Sequence, residues 1–130
     1  MSDARASFDI LVVEDTPAMA KLTLMTLQRG GFSAVHVEDG ETAIEFLGKQ
    51  IPHLILLDLN LPGLSGWDVM EYLTAEHADT EVKVIITTAY GDAANRVVGK
   101  LREVHKYMVK PFKPLELIAT VEGALGIEAS

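Results

Sequence analysis

The segment HLILLD, residues 53–58, decides the fold. Leu54, Ile55, Leu56 and Leu57 follow one another without interruption, whereas a strand with one wetted face would alternate apolar and polar residues. A short unbroken run of this kind is the pattern of a strand covered on both faces, as in a parallel sheet with helices on either side. ILVV at 10–13 and the VII that begins at Val84 have the same character, and shorter runs lie at 34–37 and 107–109. The predicted strands are therefore 8–13, 34–37, 53–58, 82–87 and 107–109. The first, third and fourth are the most apolar and belong in the middle of the sheet.

Between the strands, apolar residues recur three or four apart: Ala18, Leu22 and Met25; Ile44 and Leu47; Val69 and Leu73; Val97 and Leu101; Ile118, Val121 and Leu125. That spacing predicts five amphipathic helices. Thr16 before Pro17 predicts an N-cap with proline at the first helical position, Ser65 an N-cap for the third helix, and Gly30-Gly31 the end of the first. Strand and helix alternate five times. Right-handed crossovers then give a doubly wound α/β layer structure with helices on both faces. No repeat, linker or low-complexity tract interrupts the 130 residues, so we expect a single domain, 1–130, with its core at about 8–126.

Composition narrows the function. With no cysteine, neither a disulfide framework nor a thiolate zinc site is available. A formal net charge of −8 disfavours direct contact with nucleic acid or anionic lipid. The opening MSDARASFD has neither a basic nor an apolar leader pattern, and no apolar run approaches bilayer length, so a cytoplasmic protein without a membrane segment is expected. His36, His53, His77 and His105 are scattered without ligand spacing.

In doubly wound folds ligands sit beyond the carboxyl ends of the strands. Glu14 and Asp15 follow the first predicted strand, Asp58 ends the third, Thr88 and Ala89 follow the fourth, and Lys110 follows the fifth. Converging carboxylates repel, and a hard cation relieves that repulsion; Mg2+ suits the place because it takes carboxylates, waters and phosphate oxygens. Asp58 is the candidate nucleophile for an aspartyl phosphate, with Lys110 and Mg2+ neutralising charge and the Thr88 hydroxyl donating to a phosphoryl oxygen. Taken singly, each residue has a plainer role, as a helix cap, a loop residue or a surface lysine. Their joint placement at successive strand ends favours the phosphoryl site.

The order VVEDT, LLDLNLPGLSGWD, ITTAYG, YMVKPF resembles the receiver domain of two-component response regulators over nearly the whole chain. The resemblance implies a flavodoxin-like five-stranded parallel sheet of order 2-1-3-4-5. It implies Asp58 as phosphoacceptor, Glu14 and Asp15 as the acidic pair at Mg2+, and Asn60 as a ligand through its backbone carbonyl. Thr88 takes the place of the switch hydroxyl and Tyr107 that of the aromatic that turns inward on activation. Lys110 would pair with phosphoryl oxygens, with a cis bond to Pro111. The implied donor is a histidine kinase or histidine phosphotransfer protein. The implied output surface is helix 4, strand 5 and helix 5, read by a downstream protein, with the chain monomeric or dimerising on phosphorylation.

Members of the family commonly carry Gly-Ala where this chain has Glu103 and Val104, and Gly99 falls within the fourth helix. We therefore expect mobility at 95–103. Tyr90 and Asn60, each two residues beyond a site residue, flank the path of an attacking water and are candidate modulators of hydrolysis. Trp67, at the start of the third predicted helix near the site, is expected either to pack or to report Mg2+ binding by fluorescence. Alternatives are the receiver portion of a multidomain regulator with a transcription-factor or enzymatic output, a haloacid-dehalogenase-like small-molecule phosphatase built on Asp58 and Asn60, and a pseudo-receiver. The intact Asp15, Asp58 and Lys110 argue against the last.

Overall fold

Alternate residues of the central strand enter different cores, which is why its sequence is apolar throughout. The structure is a computed structural model and describes residues 3–89 and 104–127. Its elements are α1 (Asp3–Ala6), β1 (Asp9–Val13), α2 (Pro17–Arg29), β2 (Ser33–Val37), α3 (Gly40–Lys49), β3 (Leu54–Asp58), α4 (Gly66–Glu76), β4 (Lys83–Thr88), β5 (Lys106–Val109) and α5 (Pro114–Leu125). The five strands form one parallel sheet of order β2-β1-β3-β4-β5, as the resemblance implied. Each strand lies within one residue of its predicted bounds. The predicted fourth helix at Val97 and Leu101, the expected mobility at 95–103 with Gly99 and Glu103, and Tyr90 all lie outside the described residues.

Leu54 and Leu56 join Ile10, Val12, Ile85 and Met108 on one face, against Leu27 of α2 and Leu117 and Val121 of α5. Ile55 and Leu57 join Leu11, Val13, Val84 and Ile86 on the other, against Leu47 of α3 and Val69, Met70 and Leu73 of α4. Leu54, Ile55 and Leu57 are completely buried, each contributing about 1.5–3 kcal/mol relative to exposure. Among the described residues no helix is long and apolar enough to cross a membrane.

The ends of the helices place the loops around the strand tips. Ser65 caps α4 as predicted: its hydroxyl accepts the Asp68 N–H at 3.3 Å, and the Asp68 carboxylate accepts the Ser65 N–H at 2.8 Å. Thr16 does stand at the N-cap of α2 before Pro17, but its side chain makes no cap hydrogen bond. The Thr16 N–H instead donates to the Glu14 carboxylate at 3.1 Å, drawing that residue into the strand-end cluster. At the far end of α2 the left-handed residue is Gly31, with φ 95°, while Gly30 remains right-handed.

Gly66 lets the first turn of α4 abut the end of β3. A Cβ there would lie 2.4 Å from the Asp58 carbonyl oxygen and 2.8 Å from Leu59 Cα. In contrast, the nearest atom to a Cβ on Gly123 of α5 is His105 Nε2, at 3.8 Å. Gly66→Ala is therefore expected to destabilise the domain by about 1–3 kcal/mol in urea unfolding, since backbone must move. Gly123→Ala should stabilise it by about 0.5–1 kcal/mol, having only helix propensity to gain.

Candidate functional site

Strand alternation carries chemistry to the carboxyl edge of the sheet. Ile10 and Val12 on one face are followed at the same spacing by Glu14, Leu54 and Leu56 by Asp58, and Met108 by Lys110. Residues two apart in a strand share a face, so the apolar rows on the α2 and α5 side run out into two acids and a lysine. The ladder continues past the strand ends: the Glu14 N–H donates to the Val37 carbonyl at 3.1 Å and the Lys110 N–H to the Thr88 carbonyl at 2.8 Å.

The Lys110 ammonium sits between the two acids, 2.6 Å from Glu14 Oε1 and 2.9 Å from Asp58 Oδ2. Both acids are buried, at 3% relative exposure, whereas Asp15 is exposed. Glu14 Oε2 accepts from Thr16, and Asp58 Oδ1 accepts the Asn60 N–H at 2.9 Å. Burial pushes the Asp58 carboxyl above its ordinary value. Lys110 and the Asn60 N–H pull the other way, and the Glu14 charge adds to the rise. For Lys110, burial favours the neutral amine, but hydrogen bonds to Glu14 and Asp58 and their charges outweigh it, so its pKa is raised.

Glu14, Asp15 and Asp58 each offer a carboxylate oxygen within 4.8 Å of the others. When all are ionised, three carboxylates and the single Lys110 ammonium leave two negative charges. An all-oxygen donor set with that surplus fits a hard divalent cation such as Mg2+. Bound there, such an ion would supply charge neutralisation to an incoming phosphoryl group.

The structure brings Glu14, Asp15, Asp58 and Lys110 together as the sequence predicted, with Asn60 tied to Asp58 through its N–H. Thr88, buried, ends β4 one residue beyond the Asp58 partner Thr87. Tyr107 pairs with Ile86 and is half-buried against the α3 and α4 core, the face that Thr88 continues. The Lys110–Pro111 peptide bond is cis. Sequence reasoning passed over His36, whose Nε2 lies 2.6 Å from the Glu14 carbonyl oxygen. The resemblance implied that β2 lies beside β1, but no local signal in the sequence marks the contact of the His36 ring with the Glu14 carbonyl.

A 2-1-3-4-5 sheet bearing an acidic cluster and a lysine at its carboxyl edge defines the class: a phosphoacceptor signalling domain. The chain belongs to the response regulator receiver domain family, which it matches over residues 10–122. It is 39% identical over 116 residues to the DNA-binding response regulator MtrA of Mycolicibacterium smegmatis, covering 89% of this chain and 50% of that protein. The chain spans about half the length of the curated relatives it matches. The response regulator TrrA of Thermotoga maritima, solved in complex with Mg2+-BeF, is 30% identical with TM-score 0.80 over 91% of this chain and 99% of that one. A sensor histidine kinase receiver from Pseudomonas aeruginosa PAO1, with a magnesium ion coordinated in its active-site cleft, is 28% identical with TM-score 0.80, covering 93% and 99%. Family membership sets the haloacid-dehalogenase-like alternative aside.

Burial holds the Tyr107 phenol above the ordinary tyrosine value of 10.0. The unfolded chain therefore releases this proton first, and stability falls as pH rises above that value through the folded pKa. Urea midpoints measured at about pH 9 and about pH 11 should show a smaller alkaline loss in Tyr107→Phe than in the parent.

Proposed function

We propose that this receiver works by reversible, Mg2+-dependent phosphorylation of Asp58, with a histidine kinase or histidine phosphotransfer protein as donor, in the cytoplasm. The observation that carries the reading is the Lys110 ammonium held between Asp58 and Glu14, with Asp15 in the same cluster. In the transfer an Asp58 carboxylate oxygen bonds to phosphorus as the P–N bond of the donor phosphohistidine breaks, its electron pair returning to the imidazole. Hydrolysis later breaks the Asp58 O–P bond by attack of water, releasing inorganic phosphate and regenerating the carboxylate. Glu14, Asp15, Asp58 and the Asn60 carbonyl would hold the ion.

The chain's own groups divide the remaining work. The Asn60 N–H fixes one Asp58 oxygen in place. Lys110, already within hydrogen-bond reach of the other, moves its charge to the phosphoryl oxygens. Phosphorylation adds about 1.5 to 2 negative charges and strong acceptors, which favours conformers with Thr88 and Lys110 drawn toward Asp58. Tyr107, on the face that Thr88 continues, then fills the vacated space. A downstream protein reads the resulting surface at the predicted helix of Val97 and Leu101, β5 and α5, with this chain monomeric or dimerising on phosphorylation. The receiver unit is about residues 8–126; relatives twice as long favour the reading that such a unit also serves within longer regulators.

Incubating the chain with acetyl phosphate or beryllofluoride should add one phosphoryl mass or change Trp67 fluorescence, only with Mg2+ present and not in Asp58→Ala. A silent parent chain under those conditions would favour a pseudo-receiver instead. Tyr90, two residues after Thr88 in the sequence, slows hydrolysis in this reading, so Tyr90→Ala should shorten the phosphate lifetime followed by intact mass. An unchanged lifetime removes Tyr90 from the mechanism.

A further inference from the structure

We propose that His36 is a positioning residue for the metal-binding acids, acting through the peptide that joins Glu14 to Asp15; this rests on the phosphorylation reading above. Its Nε2 lies 2.6 Å from the Glu14 carbonyl oxygen. A carbonyl oxygen only accepts, so Nε2 carries the hydrogen and donates, and it does so in the neutral ring as well as in the imidazolium. The acceptor is not an arbitrary main-chain group. It belongs to the peptide plane whose orientation sets the direction in which Asp15 leaves the strand.

The surroundings explain why a side chain is needed there. Glu14 lies one residue past β1, and its N–H still finds a main-chain rung in the Val37 carbonyl at 3.1 Å. β2 ends at Val37, so the ring of His36 supplies the donor that a further rung would otherwise provide. The edge strand thus grips Glu14 from its N–H and from its carbonyl. The two carboxylate oxygens of Glu14 are meanwhile committed to Lys110 and the Thr16 N–H. Asp15, exposed, has the Glu14 peptide as its immediate anchor. Groups that orient ligands from behind commonly change metal affinity by 10- to 100-fold when removed.

The geometry also makes the test practicable. His36 is half-buried and borders an open pocket of about 400 Å3 between α2 and β2, lined also by Ala20, Leu24 and Met25. A leucine therefore has room, and its loss of the donor is the principal change. Glutamine retains an N–H on a chain long enough to reach the carbonyl, and asparagine carries one that is too short.

In the full chain, Mg2+ would be titrated while the Asp15 and Asn60 amides are followed by NMR, with thermal unfolding in EDTA measured alongside. His36→Leu should weaken Mg2+ binding about tenfold and His36→Gln no more than about threefold, by the scale seen for such supporting groups. Equal affinities in parent and His36→Leu would overturn the proposal, as would equal weakening in the leucine and glutamine variants. If the leucine variant does not fold, His36→Gln should bind Mg2+ more tightly than His36→Asn, and equality again overturns it. Failure of the parent chain to bind Mg2+ at all would remove the phosphorylation reading together with this one, whereas intact parent binding with indifferent variants removes only the role of His36.

Discussion

The contact of the Lys110 ammonium with Glu14 and Asp58 is the interaction on which the strand ends depend. Two carboxylates at 3% relative exposure lose most of their hydration, and neither has an apolar reason to be where it is. Lys110 reaches them from beyond β5, across the end of β4, and so ties the tips of three strands to one point. Removing one member of such a buried group leaves an uncompensated charge, typically at a cost of about 3–5 kcal/mol. The arrangement is poor as pure stabilisation, because apolar residues of similar volume would serve the core as well. Its value is that the charges are already desolvated and oriented where a phosphoryl group and a cation must be received.

Within the cluster the residues are not equally constrained. Glu14 is held at its N–H, its carbonyl and both carboxylate oxygens. Asp58 is held at both oxygens, by Asn60 and Lys110, and its backbone is pressed by the first turn of α4 at Gly66. Asp15 is exposed and tied mainly through its neighbour. A site that must accept and release ligands gains from this division, since the fixed groups need no reorganisation while the exposed one adapts.

Much of the fold was legible because unbroken apolar runs have few explanations. ILVV, LILL and VII lie in β1, β3 and β4, and the observed strands fall within a residue of the expected ones. Strand order was not legible from such runs, because β2 and β5 carry no local mark saying which partner they take; it came from the family resemblance. The Ser65 cap was readable because a capping box is local. Thr16 carried the same local signal yet makes no side-chain cap bond; its N–H donates to the carboxylate of Glu14, two residues back, which Lys110 holds from across the sheet. His36 failed for the opposite reason: nothing about a lone histidine in an edge strand marks it until the carbonyl of Glu14 is placed beside it.

The period of two in the strands does more than sort apolar residues between two cores. Continued to the strand ends and beyond, it puts Glu14, Asp58 and Lys110 in line with Val12, Leu56 and Met108, while Thr88, in line with Ile86, and Tyr107, paired with Ile86, lie on the other face. Acceptor chemistry therefore sits on the α2 and α5 side of the sheet, and the residues assigned to the switch on the α3 and α4 side. β4 lies between β3, which bears Asp58, and β5, which bears Tyr107. Thr88 ends that strand, its carbonyl bonded to the Lys110 N–H and its side chain on the Tyr107 face.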